Sequence, residues 1–372
     1  MIPYGRQEIT EKDIESVVDV LRSDFLTQGS VVPKFEHKLC EYTGAENAIA
    51  VNSCTSALHI ACLALNLGPG DILWTSPISF VASANCGLYC GASVDFVDID
   101  PNTALLSIKK LEEKLQYAKK KGKLPKIVIP VHFGGQPCDM KEIYALSKKY
   151  NFKIIEDAAH AIGAKYQDKL IGSCQYSDIT VFSFHPVKII TTGEGGVAMT
   201  NNLQLSDRMR LLRSHGITRD VSKMKNKPDG AWYYEQIDLG FNYRMTDIQA
   251  ALGISQLNRI EQYVSRRNEI AEWYNKKFRT TDISPLMQKM GRSSAYHLYV
   301  ILIKGGRQQR DVLYNYLLKN DIGVNLHYIP VYKHPFFNKN SCLENAEYYY
   351  KHAISLPIYP TISSKDLNKV VD

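Results

Sequence analysis

Ile154-Ile-Glu-Asp157-Ala-Ala-His160 is the stretch that decides how this chain folds. A short apolar run ends in two carboxylates, and small residues follow. Continuous apolar runs of this kind mark strands buried on both faces, as in a parallel sheet. Similar runs recur around it: Asn47–Asn52, Ile72–Ser76, Ser93–Asp98, Ile127–His132, Lys153–Glu156, Ile179–Phe184 and Gly196–Met199. Helical segments separate them, among them Ser56–Leu67, Ser107–Lys120 and Met140–Lys149. Strand–helix–strand repetition predicts an α/β layered domain. Ligands of such domains bind at the carboxyl edge of the sheet, which is where Asp157 falls. A buried carboxylate is costly unless paired, and a protonated ring nitrogen on a ligand is a suitable partner. A helix-capping aspartate is the competing reading.

Further along, Asp220 to Gly230 is polar, with Pro and Gly, and reads as a surface loop. A helical pattern then runs from Thr246 to about Phe278, its stripe carried by Ile248, Leu252, Leu257, Ile260, Val264, Tyr274 and Phe278. It is long enough to bridge two domains. Tyr296–Lys304 and Gly323–Tyr328 read as strands flanking a helix at Gln308–Lys319, which makes a small α+β domain. The chain's 372 residues suit one large domain, residues 1–245, and a smaller one, 246–372. The last residues read as part of a final helix that stops at Asp372.

Composition excludes several classes. The net charge of +7 is spread along the chain, apart from Lys119-Lys120-Lys121, which reads as a solvated helix end. Nothing resembles a nucleic-acid arm or a zinc finger. A modest positive field suits anionic ligands. The eight cysteines form no CxxC pair, and most sit among apolar or small residues, so free thiols in a reducing, cytoplasmic setting are expected. Met1 to Lys12 has no apolar signal core, and no apolar stretch is long enough to span a membrane. No metal ligand set is found.

Two more segments could carry chemistry. Asn52-Ser-Cys-Thr-Ser-Ala57 follows a strand and opens a helix, whose free N–H groups and partial positive charge suit a phosphate. Thr55 and Ser56 add hydroxyls there. Taken alone, the segment reads as an ordinary N-cap. Ser183-Phe-His-Pro-Val-Lys188-Ile-Ile-Thr-Thr-Gly-Glu-Gly-Gly196 sets one lysine among apolar neighbours before a glycine-rich turn. Desolvation lowers a lysine's pKa and frees its neutral amine to react with a carbonyl.

In this order and spacing the three segments resemble the fold-type-I pyridoxal-phosphate (PLP) enzymes. More narrowly, the chain resembles the sugar-nucleotide aminotransferases of the DegT/StrS group. The resemblance runs from Phe25-Leu-Thr-Gln-Gly29 to Ser355-Leu-Pro357 and includes Pro77-Ile-Ser-Phe80-Val-Ala, Arg213-Ser-His-Gly216 and Asn242-Tyr-Arg-Met-Thr-Asp247. It implies an aspartate-aminotransferase-like fold with a large, mostly parallel-sheet domain and a smaller α+β domain. It implies that Lys188 carries PLP and that Asp157 pairs with the pyridine nitrogen. Phe80 is implied to stack on the ring, with His160 beside it. Thr55, Ser56 and Ser183 are implied to hold the phosphate. Asn242 is implied to reach a phosphate site in a partner subunit, hence a homodimer with active sites at the interface.

Glutamate is implied as the amino donor and a nucleotide-linked keto sugar as the acceptor. Within the group the chain looks most like the branch acting on a UDP-linked 4-keto-6-deoxy-N-acetylhexosamine in pseudaminic acid biosynthesis. A transaminase for a 3-keto or dTDP-linked sugar is the alternative. The related sugar dehydratases carry histidine where this chain has Lys188, and a non-catalytic relative should have lost Lys188 or Asp157. Thr27, His327 and Tyr332 are candidates for touching the substrate. His297, Tyr299 and Tyr328 read as packing residues, and Arg213 and His215 as either diphosphate contacts or a structural salt bridge.

Overall fold

The computed structural model describes residues 1–337 and 342–372. Seven strands form one sheet. Its order is Asn47–Val51, Gly196–Thr200, Ile179–Ser183, Lys153–Asp157, Ile127–Ile129, Ile72–Thr75, Ser93–Phe96. All run the same way except Gly196–Thr200, which is antiparallel to both neighbours. Ile127–Ile129, Ile179–Ser183 and Gly196–Thr200 are buried at every position, which is why they read as unbroken apolar runs. The expected α/β class with a mostly parallel sheet is what forms.

The helix Cys54–Ala64 packs against this sheet. Ala57, Leu58, Ile60 and Ala61 are all buried, so it shows little amphipathic pattern. Its close seating depends on Gly196: a side-chain Cβ there would lie 2.5 Å from the Cys54 amide. Ser53 caps this helix by accepting from the Ser56 N–H.

A three-stranded antiparallel sheet follows, in the order Ile283–Pro285, Tyr299–Ile303, Ala353–Leu356. It has its own hydrophobic cluster, which includes Tyr274, Ile301, Leu317, Ile354 and, from the chain's beginning, Ile2. Ile2 donates to Asp321 and accepts from Gly323, so the N-terminal residues lie along this second unit.

Two sequence expectations change. The single helix expected from Thr246 to Phe278 is two, Asp247–Leu257 and Ile260–Phe278. Arg259 leaves the helical conformation between them, with its guanidinium on Asp13 at 2.6 Å and on the Tyr263 hydroxyl at 2.9 Å. The apolar spacing continues through the break because Leu257, Ile260 and Tyr263 all face the first core. Farther along the second helix, Ile270, Tyr274 and Phe278 enter the other cluster, so this helix spans both. The second change concerns Gly323–Tyr328. It makes one bridge, Asn325 to Ser355, and the strand beside Tyr299–Ile303 is Ala353–Leu356. The 323–328 segment instead walls the cavity described next.

Candidate active site

Sheet register explains why the three chemical segments meet. Val51 and Ser183 both pair with Gly196, and Asp157 pairs with Val181. The strand ends at Val51, Ser183 and Asp157 therefore share one edge, with the Gly196 end of the antiparallel strand between the first two. Beyond this edge lies a cavity of about 980 Å³. Thr55, Ser56, Phe80, Asp157, His160, Ser183, Lys188 and His327 all line it.

Lys188 sits on the turn after Ile179–Ser183, its backbone N–H donating to the His185 carbonyl at 2.9 Å. Burial lowers its ammonium from the usual lysine range to about 8, partly offset by the Asp157 charge. Asp157 is 5% exposed. Its carboxylate accepts from the Ser83 hydroxyl at 2.6 Å and the Ala159 N–H at 3.1 Å, both neutral donors. At the start of the helix Cys54–Ala64, the N–H groups of Cys54 and Thr55 precede the first helical bond, and both residues line this cavity. The Ser56 hydroxyl donates to Asn52 at 2.6 Å, and Ser183 accepts weakly from the His185 N–H at 3.4 Å.

Three histidines crowd the same space. His160 and His297 have ring centroids 4.4 Å apart. The His327 Nδ1 lies 2.8 Å from the Ser355 hydroxyl. Burial, helped by the Lys188 charge, holds His160 and His297 well below the ordinary histidine range and brings His327 to about 3. All three are neutral near pH 7.

The lining suits a flat, phosphorylated cofactor. Phe80 is 61% exposed, an apolar ring left uncovered on the cavity wall. Asp157 is a buried acid whose hydrogen-bond donors are neutral. The helix start offers unpaired donors to an anion.

Other predicted residues lie elsewhere. Tyr332 does not reach the cavity; it is buried in the first core, where its hydroxyl donates to Glu347 at 3.0 Å and its ring meets Phe96 edge-on. The turn Val331–Lys333 folds it inward. Thr27 is exposed, pairs through its backbone with Thr246 and is not among the residues lining the cavity. Asn242 is exposed, bridges to Ser214 and is not among the residues lining the cavity. Arg213 takes the structural alternative, donating to Glu36 at 2.6 Å and to the Ala50 carbonyl at 2.8 Å.

His297 and Tyr328, read from sequence as packing residues, line the cavity, and so do Ser83, Tyr4 and Asn325. Ser83 had a usable signal, since it stands three residues after Phe80 at a helix start. Tyr4 had none, because only the fold carries the chain's beginning to this site. Tyr299 is a core residue, as read. Among the described residues no helix is long and apolar enough to cross a membrane, and no cluster has metal-ligand geometry.

A desolvated lysine and a buried acid lining one cavity, beside the start of a helix, suit PLP-dependent transfer to and from amines. The chain belongs to the DegT/DnrJ/EryC1/StrS aminotransferase family, whose profile matches residues 7–372. It is 40% identical over 377 residues to the UDP-4-amino-4,6-dideoxy-N-acetyl-beta-L-altrosamine transaminase of Campylobacter jejuni strain 81-176, covering 100% of this chain and 96% of that one. Among solved structures, PseC of Helicobacter pylori, an aminotransferase involved in the biosynthesis of pseudoaminic acid, superposes with a TM-score of 0.90 at 31% identity, covering 100% and 97%. Spr1654 of Streptococcus pneumoniae, in its PLP form, does so at 0.89 and 28%, covering 100% and 96%. It is also known in a PMP form. The protein is a PLP-dependent sugar aminotransferase.

Proposed function

We propose that the protein moves the amino group of glutamate onto carbon 4 of a UDP-linked 4-keto-6-deoxy-N-acetylhexosamine, in pseudaminic acid biosynthesis. The observation that carries this reading is end-to-end similarity to a C. jejuni transaminase named for a 4-amino altrosamine product. The cavity agrees with it. Its volume of about 980 Å³ is large enough for a cofactor with a sugar, and His297, Asn325, His327 and Tyr328 give it a hydrogen-bonding wall.

In this reading Lys188 carries the cofactor, Asp157 faces its ring nitrogen, Phe80 stacks on the ring and His160 lies beside it. Thr55, Ser56, Ser183 and the helix start hold its phosphate. PLP, when bound, supplies a carbonyl that exchanges for an amine and a ring that accepts an electron pair. The chain does the rest. The Lys188 amine, freed when substrate binds, would take the proton from the substrate carbon, hold it as an ammonium, and deliver it to the cofactor carbon that bears the nitrogen. Its lowered pKa keeps a neutral fraction ready for that step. Asp157, buried at the sheet edge, would pair with the ring nitrogen and hold its proton. Two half-reactions share one cavity, which gives ping-pong kinetics. The same reading makes the fold that of the fold-type-I PLP enzymes, divides the chain at residues 1–245 and 246–372, and makes the protein a cytoplasmic homodimer in which Asn242 serves the partner's site.

The test follows the visible absorbance of the PLP-loaded protein. Glutamate should bleach it, and the UDP-4-keto sugar should restore it. Recovery only with a 3-keto or dTDP-linked sugar would move the substrate assignment within the family. Absence of any absorbance from bound PLP would overturn the role given to Lys188.

A further inference from the structure

Tyr328 has a hydrogen-bonding direction that the family reading does not assign. Its hydroxyl lies 3.2 Å from Nε2 of His160. The other ring nitrogen of His160, Nδ1, accepts the backbone N–H of Gly134 at 3.3 Å. A nitrogen that accepts carries no proton, so neutral His160 bears its proton on Nε2. His160 is buried within reach of the Lys188 charge, which keeps the ring neutral. Nε2–H therefore donates to the Tyr328 oxygen. That oxygen is occupied as an acceptor, and its own proton is left to point into the cavity that both residues line.

The ring of Tyr328 has little freedom to turn this proton elsewhere. His327 packs edge-on at 5.0 Å between centroids, Phe133 edge-on at 6.3 Å, and Phe80 tilts against it at 6.4 Å. Burial raises the Tyr328 phenol above the ordinary tyrosine range, with the charge of Asp157 adding to the effect, so it stays protonated and remains a donor.

We propose that Tyr328 is a hydrogen-bond donor to an electron-rich oxygen of the bound ligand, oriented through the Gly134–His160–Tyr328 chain. This rests on the PLP aminotransferase reading and adds a residue to it. Two oxygens of the same chemistry lie within that reading: the phenolic oxygen of the cofactor and the keto oxygen of the sugar.

Tyr328→Phe removes the donor and keeps the ring. In the PLP-loaded variant, a shift in the pH at which bound-cofactor absorbance changes assigns the cofactor oxygen. An unshifted spectrum, with KM for the keto sugar raised about tenfold and the glutamate half-reaction unchanged, assigns the sugar oxygen. A variant that matches wild type in both measurements overturns the proposal, while failure of the wild type itself to bind PLP overturns the underlying reading instead. A second measurement needs no variant. Nitrogen-15 NMR of histidine-labelled protein without cofactor should show His160 neutral with its proton on Nε2. A proton on Nδ1 would break the chain and with it the proposal.

Discussion

Lys188 is desolvated by its surroundings, and its titration follows from that. Its folded pKa, about 8, lies below the ordinary lysine value of about 10.5. The neutral amine therefore becomes abundant as pH rises through about 8. In the cofactor-free protein, the rate of covalent PLP capture should rise with pH and level off above that value. A rise continuing to the range of a free lysine would place the side chain in water. Lys188→Ala should fold normally and lose both the absorbance of bound PLP and turnover. Asp157→Asn should still bind PLP, and its kcat should fall by about a hundredfold or more, since a neutral amide cannot hold the ring nitrogen protonated.

Elements carry a different kind of constraint. The helix Cys54–Ala64 brings its first residues to the cavity because Gly196 lets it sit close on the sheet. Gly196→Ala puts a methyl into the Cys54 amide. It should cost about 1–3 kcal/mol in urea unfolding and weaken PLP binding more than stability alone explains. The helix Ile260–Phe278 does similar work through Arg267, which is 1% exposed. Its guanidinium donates to the carbonyls of Tyr296 at 3.1 Å and Ile358 at 2.9 Å, and more weakly to that of His297 at 3.4 Å, fixing the backbone that sets His297 into the cavity. Arg267→Leu leaves these carbonyls without a donor. A loss of about 2–3 kcal/mol is expected, read as a lower denaturation midpoint at unchanged slope.

Across the whole molecule, two behaviours follow from assembly and burial. If Asn242 completes the partner's phosphate site, Asn242→Ala and Lys188→Ala protomers, each inactive, should complement when mixed. One site in each mixed dimer is then intact, which returns about a quarter of wild-type activity at equal mixing. No recovery would mean that Asn242 acts within its own protomer or not at all. The second behaviour is acid sensitivity. His160, His297 and His327 bind protons more weakly folded than unfolded, because burial and the Lys188 charge oppose a second positive charge. Below the unfolded histidine pKa of about 6.5 the unfolded chain takes up protons that the native one does not, so their share of stability is present above that pH and lost as pH falls. Urea midpoints measured from neutral pH downward should drop across that range. A flat profile would mean that these rings charge freely in the native state.

The sequence by itself determined the sheet and the centre of the site. Buried parallel strands announce themselves as unbroken apolar runs, and Thr55, Asp157, Ser183 and Lys188 each sit where such a run meets a turn. Strand-end positions are local, so their convergence at one sheet edge follows from strand order. What lies across the cavity was not legible. His297, Tyr328 and Tyr4 come from distant parts of the chain, and aromatic residues in apolar segments look alike whether they fill a core or face a ligand. Tyr332 shows the converse, a polar aromatic in a promising motif that a tight turn folds inward. The helix break at Arg259 was hidden because apolar spacing reports which face is buried, and both helices bury the same face there. Only the tertiary structure decided these points, because each depends on which surfaces meet, and that is a property of the folded chain's long-range contacts.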